Sequence, residues 1–160
     1  MKTKSNVEAL SEEEIDSFLK EQRVGILSLT NGESAYGIPL AYFYDKKTIY
    51  ITLGPTGKKM EYIEKSKKVS FTVYWVPQDY PASRSWKSVI VEGELTRITD
   101  PDELRSAVKT AEKFMGMPEG SLDKILEMTL KNPGNSNFWK IPLQKVGGKG
   151  VKDFQEEFEE

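Results

Sequence analysis

The sequence predicts an α+β domain: a small antiparallel barrel, closed or half-closed, of about six strands with flanking helices. Three observations predict it. Runs of β-branched and aromatic residues alternate between turns such as "NGES" and "DKK", too short for a crossover, so neighbouring strands pair antiparallel. Capped amphipathic segments flank these runs. A chain of 160 residues suits one domain with one substantial core.

"LSEEEIDSFLKEQ" reads as the first helix. Ser11 fits the N-cap, Glu14 completes a capping box, and Leu10 and Ile15 have the spacing of a hydrophobic staple. Ile15, Phe18 and Leu19 make one apolar stripe. "RVGILSLT" reads as a strand turning at "NGES". In "SAYGIPLAYFYD", Tyr36, Ile38, Leu40, Tyr42 and Tyr44 share one face, and the opposite face (Ala35, Gly37, Pro39, Ala41, Phe43) is mostly small. Pro39 cannot donate to a ladder, so it belongs at an edge or a bulge. "DKK" leads into "TIYITL", which ends in "GPTG" and a short helix. Two strands follow, "KVSFTVYWV" and "SVIVEGELTRI", around the proline-containing loop "PQDYPASRSWK". "DPDELRSAVKTAEKFM" is a helix with Asp100 as N-cap, Pro101 in first position and Glu103 completing a second box. "SLDKILEMTLK" is another, closed by "NPGN", and "NFWKIPLQKV" is the last strand. "GGKGVKDFQEEFEE" reads as a mobile tail, so the expected division is a single domain over 1–150 and an acidic tail over 151–160.

Composition narrows the chemistry. The chain has no Cys and no His. Disulfides, Cys/His zinc sites, cysteine nucleophiles, Ser-His-Asp triads and His-ligated haem are thereby excluded. Catalysis would need carboxylates, Lys, Tyr or a bound cofactor. A net charge of -2 gives no general pull toward nucleic acid. No apolar run reaches membrane-helix length, and "MKTKSNVEAL" has no apolar h-region, so a cytoplasmic protein off the membrane is expected.

Three segments are candidates for function. In "GPTGKKMEYI", Gly54 and Gly57 would let backbone approach a ligand, and Lys58 and Lys59 open a helix where acidic residues are usual. Read alone, it fits either a phosphate site or a solvated lysine-rich helix. In "SRSWKSVIVEGEL", Arg84 and Lys87 bracket Trp86, which suits a planar anion, although an amphipathic strand entry explains the same residues. Trp139, on the face of Ile141 and Leu143, reads as core. Glu92 and Glu94 read as a solvated face.

Together these segments resemble the pyridoxamine 5'-phosphate oxidase-like FMN-binding split-barrel family, in its nitroimidazole-resistance-like branch. The likeness rests on the order of "EEEIDSFLKEQRVGILSLT", "YGIPLAYFYDKKTIYITLGPTGKKMEYI", "KKVSFTV", "WKSVIVEGEL" and "FWKIPLQKVGGKG", over about residues 9 to 150. The resemblance implies a six-stranded antiparallel split β-barrel that forms a homodimer, with one FMN per subunit in the groove between subunits. It implies that backbone at Ile38, Pro39 and Leu40 edges the isoalloxazine, that Thr52, Lys58 and Lys59 line the phosphate end, and that Trp86, Lys87 and Ser88 lie close by. It implies a flavin-dependent oxidoreductase, with a nicotinamide as possible electron donor. A flavin carrier without catalysis, or a split barrel holding a deazaflavin or haem, are the rivals, and the missing His argues against haem. Two departures bear on activity. Many nitroimidazole-resistance relatives carry a His near the end of the strand that is "IYITL" here, where this chain has Thr52. The basic, His-containing C-terminal motif of true pyridoxamine phosphate oxidases is also missing, so that activity is not expected.

Overall fold

The computed structural model describes residues 7–151. In chain order the elements are β1 (Glu8–Ala9), α1 (Glu12–Glu21), β2 (Val24–Thr30), β3 (Ala35–Ala41), β4 (Phe43–Asp45), β5 (Thr48–Thr52), α2 (Lys58–Lys65), β6 (Lys68–Trp75), β7 (Trp86–Glu94), β8 (Thr96–Arg97), α3 (Pro101–Phe114), α4 (Asp123–Lys131), β9 (Phe138–Pro142) and β10 (Lys145–Val151). A 3-10 turn, Pro133–Asn135, precedes β9. The strands form a six-stranded sheet, β1-β10-β7-β6-β2-β3, and a four-stranded sheet, β4-β5-β9-β8. All pairings are antiparallel. Two corners carry the chain between sheets, at Tyr42 (β3 to β4) and at Leu95 (β7 to β8), both with buried side chains. The result is an α+β barrel split into two sheets.

Local rules explain the helix starts. Ser11 Oγ accepts from the Glu14 N–H at 3.1 Å, and the Glu14 carboxylate accepts from the Ser11 N–H at 3.0 Å, the reciprocal box expected. The second box is half made. Asp100 accepts from the Glu103 N–H at 2.9 Å, but the Glu103 carboxylate pairs with Lys140 on β9 and ties α3 to the smaller sheet.

The four-stranded sheet has a core on each face. Ile49, Ile51, Trp139 and Ile141 meet Leu27, Phe71, Val73 and Val91 of the larger sheet inside the barrel. Trp139 is thus core, as expected, with the Arg97 guanidinium 4.7 Å over its ring. Alternate residues Phe43 and Phe138 face outward, under Leu104, Ala107 and Val108 of α3. The larger sheet differs. Ile26 pairs Thr72, which pairs Ile90, and Val24 and Tyr74 lie two residues along on the same outer face. Val24, Tyr74 and Ile90 are 56%, 59% and 48% exposed, so this apolar face lies open to solvent.

Two expectations need correction. Three runs read as single strands, "SAYGIPLAYFYD", "SVIVEGELTRI" and "NFWKIPLQKV", are each divided between the two sheets, and with the unexpected β1 about six expected strands become ten segments. The glycine-rich stretch read as the start of a tail is instead β10, paired with β7 from Lys145 to Val151 and closing the sheet against β1. Gly148 is needed there. A Cβ on Gly148 would stand 3.0 Å from both Leu10 and Ile15, the staple residues that pack across it. Residues 152–160, expected as the acidic tail, lie outside the described residues.

Candidate functional site

The site begins where β5 ends. Thr52 is exposed, and Leu53 is buried with its N–H bonded to the Asn137 carbonyl at 2.8 Å. The chain then leaves the core as the exposed turn Gly54–Gly57. Gly57 is the N-cap of α2 at φ +108°, a conformation that favours glycine, and no side chain caps the helix. The first N–H groups of α2, and the positive end of its dipole, therefore open onto the turn.

One ammonium group lies over the turn, and a second reaches from the helix start toward β3. Lys59 Nζ donates to the Thr56 carbonyl at 3.0 Å, and it stands 3.9 and 3.7 Å from where a Cβ on Gly54 or Gly57 would be. Glycine leaves that space open. Lys58 Nζ sits 4.6 Å from the Tyr36 ring centroid and 5.9 Å from that of Tyr62. The two rings are 5.5 Å apart, and the Tyr62 hydroxyl shares a 2.7 Å hydrogen bond with Ser34 Oγ. This latch holds the start of α2 against β3.

Among the described residues β3 is an edge strand, paired with β2 alone, so backbone N–H and C=O groups along its other side have no ladder partner there. Ile38 and Leu40 are half-buried toward the core, and Pro39 is exposed on the outer face, at the edge its missing N–H demands. Within one chain, Lys58 and Lys59 follow Thr52 across the glycine turn, and Lys58 meets Tyr36 of the strand that carries Ile38, Pro39 and Leu40.

One chain does not bring Trp86, Lys87 and Ser88 to the same place. They start β7, three strands from β3, about 14 Å measured along the sheet. Lys87 faces α1 instead, beside Glu13, Glu14 and Glu21. The Glu14 carboxyl is held below its usual range by the Ser11 hydrogen bonds, with a smaller contribution from Lys87. Glu92 pairs with Lys145 at 3.4 Å on the exposed surface, the solvated role expected. Sequence reasoning missed Ser34, Tyr36 and Tyr62 as site residues. Lys58 and Tyr62 at i, i+4 on one helix face were the available signal, while the approach of Tyr36 depends on tertiary packing.

The arrangement suits an anion: two cations, an uncapped helix start and a glycine turn beside a free strand edge. It offers no His or Cys for acid–base or nucleophilic work.

The family model described as pyridoxamine 5'-phosphate oxidase matches residues 11–150. The chain belongs to the pyridoxamine 5'-phosphate oxidase family. Among solved structures, this family member is similar to a candidate 5-nitroimidazole antibiotic resistance protein from Bacteroides thetaiotaomicron, at 21% identity over 91% of this chain and 89% of that one, TM-score 0.72. It is similar to a FAD-binding protein from Mesorhizobium loti, at 26% identity over 92% and 99%, TM-score 0.67. It also resembles a candidate pyridoxamine 5'-phosphate oxidase from Corynebacterium glutamicum, at 18% identity over 93% and 96%, TM-score 0.64. No curated protein matches the sequence. Among the described residues, no helix is long and apolar enough to cross a membrane.

Proposed function

We propose that this family member is an FMN-binding flavoprotein, a homodimer acting as an oxidoreductase on a small molecule in the cytoplasm. One observation carries the reading: Lys59 stands over the glycine turn at the uncapped start of α2, and Lys58 reaches from that start to Tyr36 on the edge strand β3. These residues fit a phosphate-bearing flavin. Lys59 and the α2 N–H groups would meet the phosphate, with Lys58 and Thr52 beside them, and the backbone of Ile38–Leu40 would edge the ring system. A bound flavin supplies electron transfer, which the chain's own side chains do not. Ala35, Gly37 and Ala41 leave room along β3 for a nicotinamide donor.

The dimer reading rests on the bare outer face of the larger sheet. A two-fold interface there would bury Val24, Tyr74 and Ile90, and it offers a way for Trp86–Ser88 of one copy to approach the lysine turn of the other. A second reading, FAD in place of FMN, is favoured by the Mesorhizobium loti relative. The test is the visible spectrum of the purified protein, followed by chromatography of the flavin released on denaturation. FMN is the expected product, and a FAD peak selects the second reading. Failure of FMN, FAD or riboflavin to bind in a fluorescence titration overturns both. Light scattering should give twice the 18.2 kDa of the chain. A monomer that binds FMN tightly rules out a shared site.

A further inference from the structure

At the other end of β3 from the lysine turn lies a second cationic cleft, which the flavin reading does not use. Tyr36, near one end of β3, touches Lys58; Ala41, at the other end, pairs with Val24, next to Arg23. Five residues along a strand separate the two ends by roughly 16 Å. The cleft, about 570 Å³, lies between the end of α1, the β4–β5 turn and α3. Its cations are Lys20, Arg23, Lys46, Lys109 and Lys113, against one lining carboxylate, Asp45.

Some of this charge has a structural use. Lys20 pairs with Asp16 at 2.8 Å. Arg23 Nη1 donates to the carbonyls of Lys20 and Gln22 at 2.7 and 2.9 Å, at the negative end of α1, and the guanidinium lies 4.2 Å over the Phe114 ring. Lys46, Lys109 and Lys113 form no ion pair among the described residues. Part of this placement works against stability, although Lys113, in the last turn of α3, also meets the helix dipole favourably. Lys109 and Lys113 stand at i, i+4 on α3, a like-charge pair that disfavours the helix. Lys46 and Lys47 hold the β4–β5 turn at φ +47° and +57°, where Asn-Gly is the relaxed choice. On α3, Ser106 and Thr110 share the face of the two lysines and add hydroxyl donors.

We propose that this cleft binds a small organic anion carrying at least two negative charges, a phosphate ester or a polycarboxylate. Its charged groups meet Lys46, Lys109 and Lys113, and its remaining body lies toward Phe114. The volume exceeds what a bare inorganic ion fills and falls within the range of small-molecule sites.

The test is isothermal titration of full-length protein with inorganic pyrophosphate and with citrate at low ionic strength. The Lys59→Ala background weakens any anion binding at the lysine turn, and the cleft variants separate the two sites, so the result does not depend on the flavin reading. One site per chain is expected. Adding Lys109→Ala and Lys113→Ala should weaken it by about tenfold or more, the order of a lost charge-assisted hydrogen bond. Thr110→Glu, which sets a carboxylate among the lysines, should give a comparable loss while the circular dichroism spectrum stays unchanged. Pyrophosphate binding tighter than citrate assigns the phosphate class, and the reverse assigns polycarboxylates. Absence of binding on the Lys59→Ala background overturns the proposal. So does binding that survives both cleft variants.

Discussion

Lys59→Ala is the sharpest probe of the flavin reading, because the phosphate is the only part of FMN that riboflavin lacks. Lys59 is half-buried and its ammonium donates to the Thr56 carbonyl at the glycine turn, so it is already held where an anion would meet the α2 N–H groups. A close charge pair at an effective dielectric near 20 contributes about 4 kcal/mol, an upper bound before desolvation. A charge-assisted hydrogen bond retains about 1.5–3 kcal/mol, and Lys59 must in part exchange its Thr56 bond for the new one, which favours the lower end. That corresponds to roughly ten- to thirtyfold weaker FMN binding. Lys58 is exposed and must give up its place over Tyr36, so Lys58→Ala should cost less. The assay is quenching of flavin fluorescence, with FMN and riboflavin titrated into wild type and each variant. Riboflavin affinity should be unchanged. Equal losses for the two ligands would refute the phosphate assignment.

Gly25→Ala should destabilise the barrel, because its Cβ would lie 2.2 Å from a carbon of the fully buried Phe71 ring and 2.9 Å from the Thr72 carbonyl oxygen. Overpacking of this severity costs about 3 kcal/mol, seen in thermal melts as a Tm lower by roughly 10 °C. Gly37→Ala, whose Cβ meets only Ile26 at 3.5 Å, is the control and should change Tm little. In acid, the Asp16 carboxyl is held below its usual range by Lys20 first and by the Tyr44 hydroxyl second. Its stabilisation is therefore present above the ordinary carboxylate pKa and lost as pH falls through the lower folded value, so Asp16→Asn should flatten the acid limb of a stability–pH curve. In alkali, burial raises Tyr42, Tyr44 and Tyr50, with the Asp16 hydrogen bond adding to the shift at Tyr44. That stabilisation is complete below the ordinary tyrosine pKa and lost as pH rises toward the folded values. Ultraviolet titration should show these three ionising above the ordinary tyrosine range, and their ionisation at the ordinary pKa in the folded protein would contradict the packing.

What the sequence determined alone was whatever a few neighbouring residues decide. The box of Ser11 and Glu14 closes within one helical turn. The alternation from Ala35 to Ala41 sorts side chains between two faces of one strand, and Pro39 can sit only where no donor is needed. The lack of His and Cys excludes whole chemistries before any folding. The features behind the proposed anion site at Gly54–Lys59 were legible for the same reason, since glycine freedom, helix start and lysine charge lie within six residues, but those residues alone fit a solvated helix equally well. Tertiary structure decided what depends on groups distant in the chain. Tyr42 and Leu95 turn strands into corners because the closing barrel buries them. β10 became a strand through its register with β7, which its glycine-rich sequence does not announce. Glu103 left its own helix cap for Lys140, 37 residues away. Lys58 met Tyr36, and Trp86–Ser88 fell three strands from the turn, because the pairing order β7-β6-β2-β3 sets those distances. Local sequence prices each residue against its neighbours, whereas strand order follows from burying both sheets and their helices around shared cores.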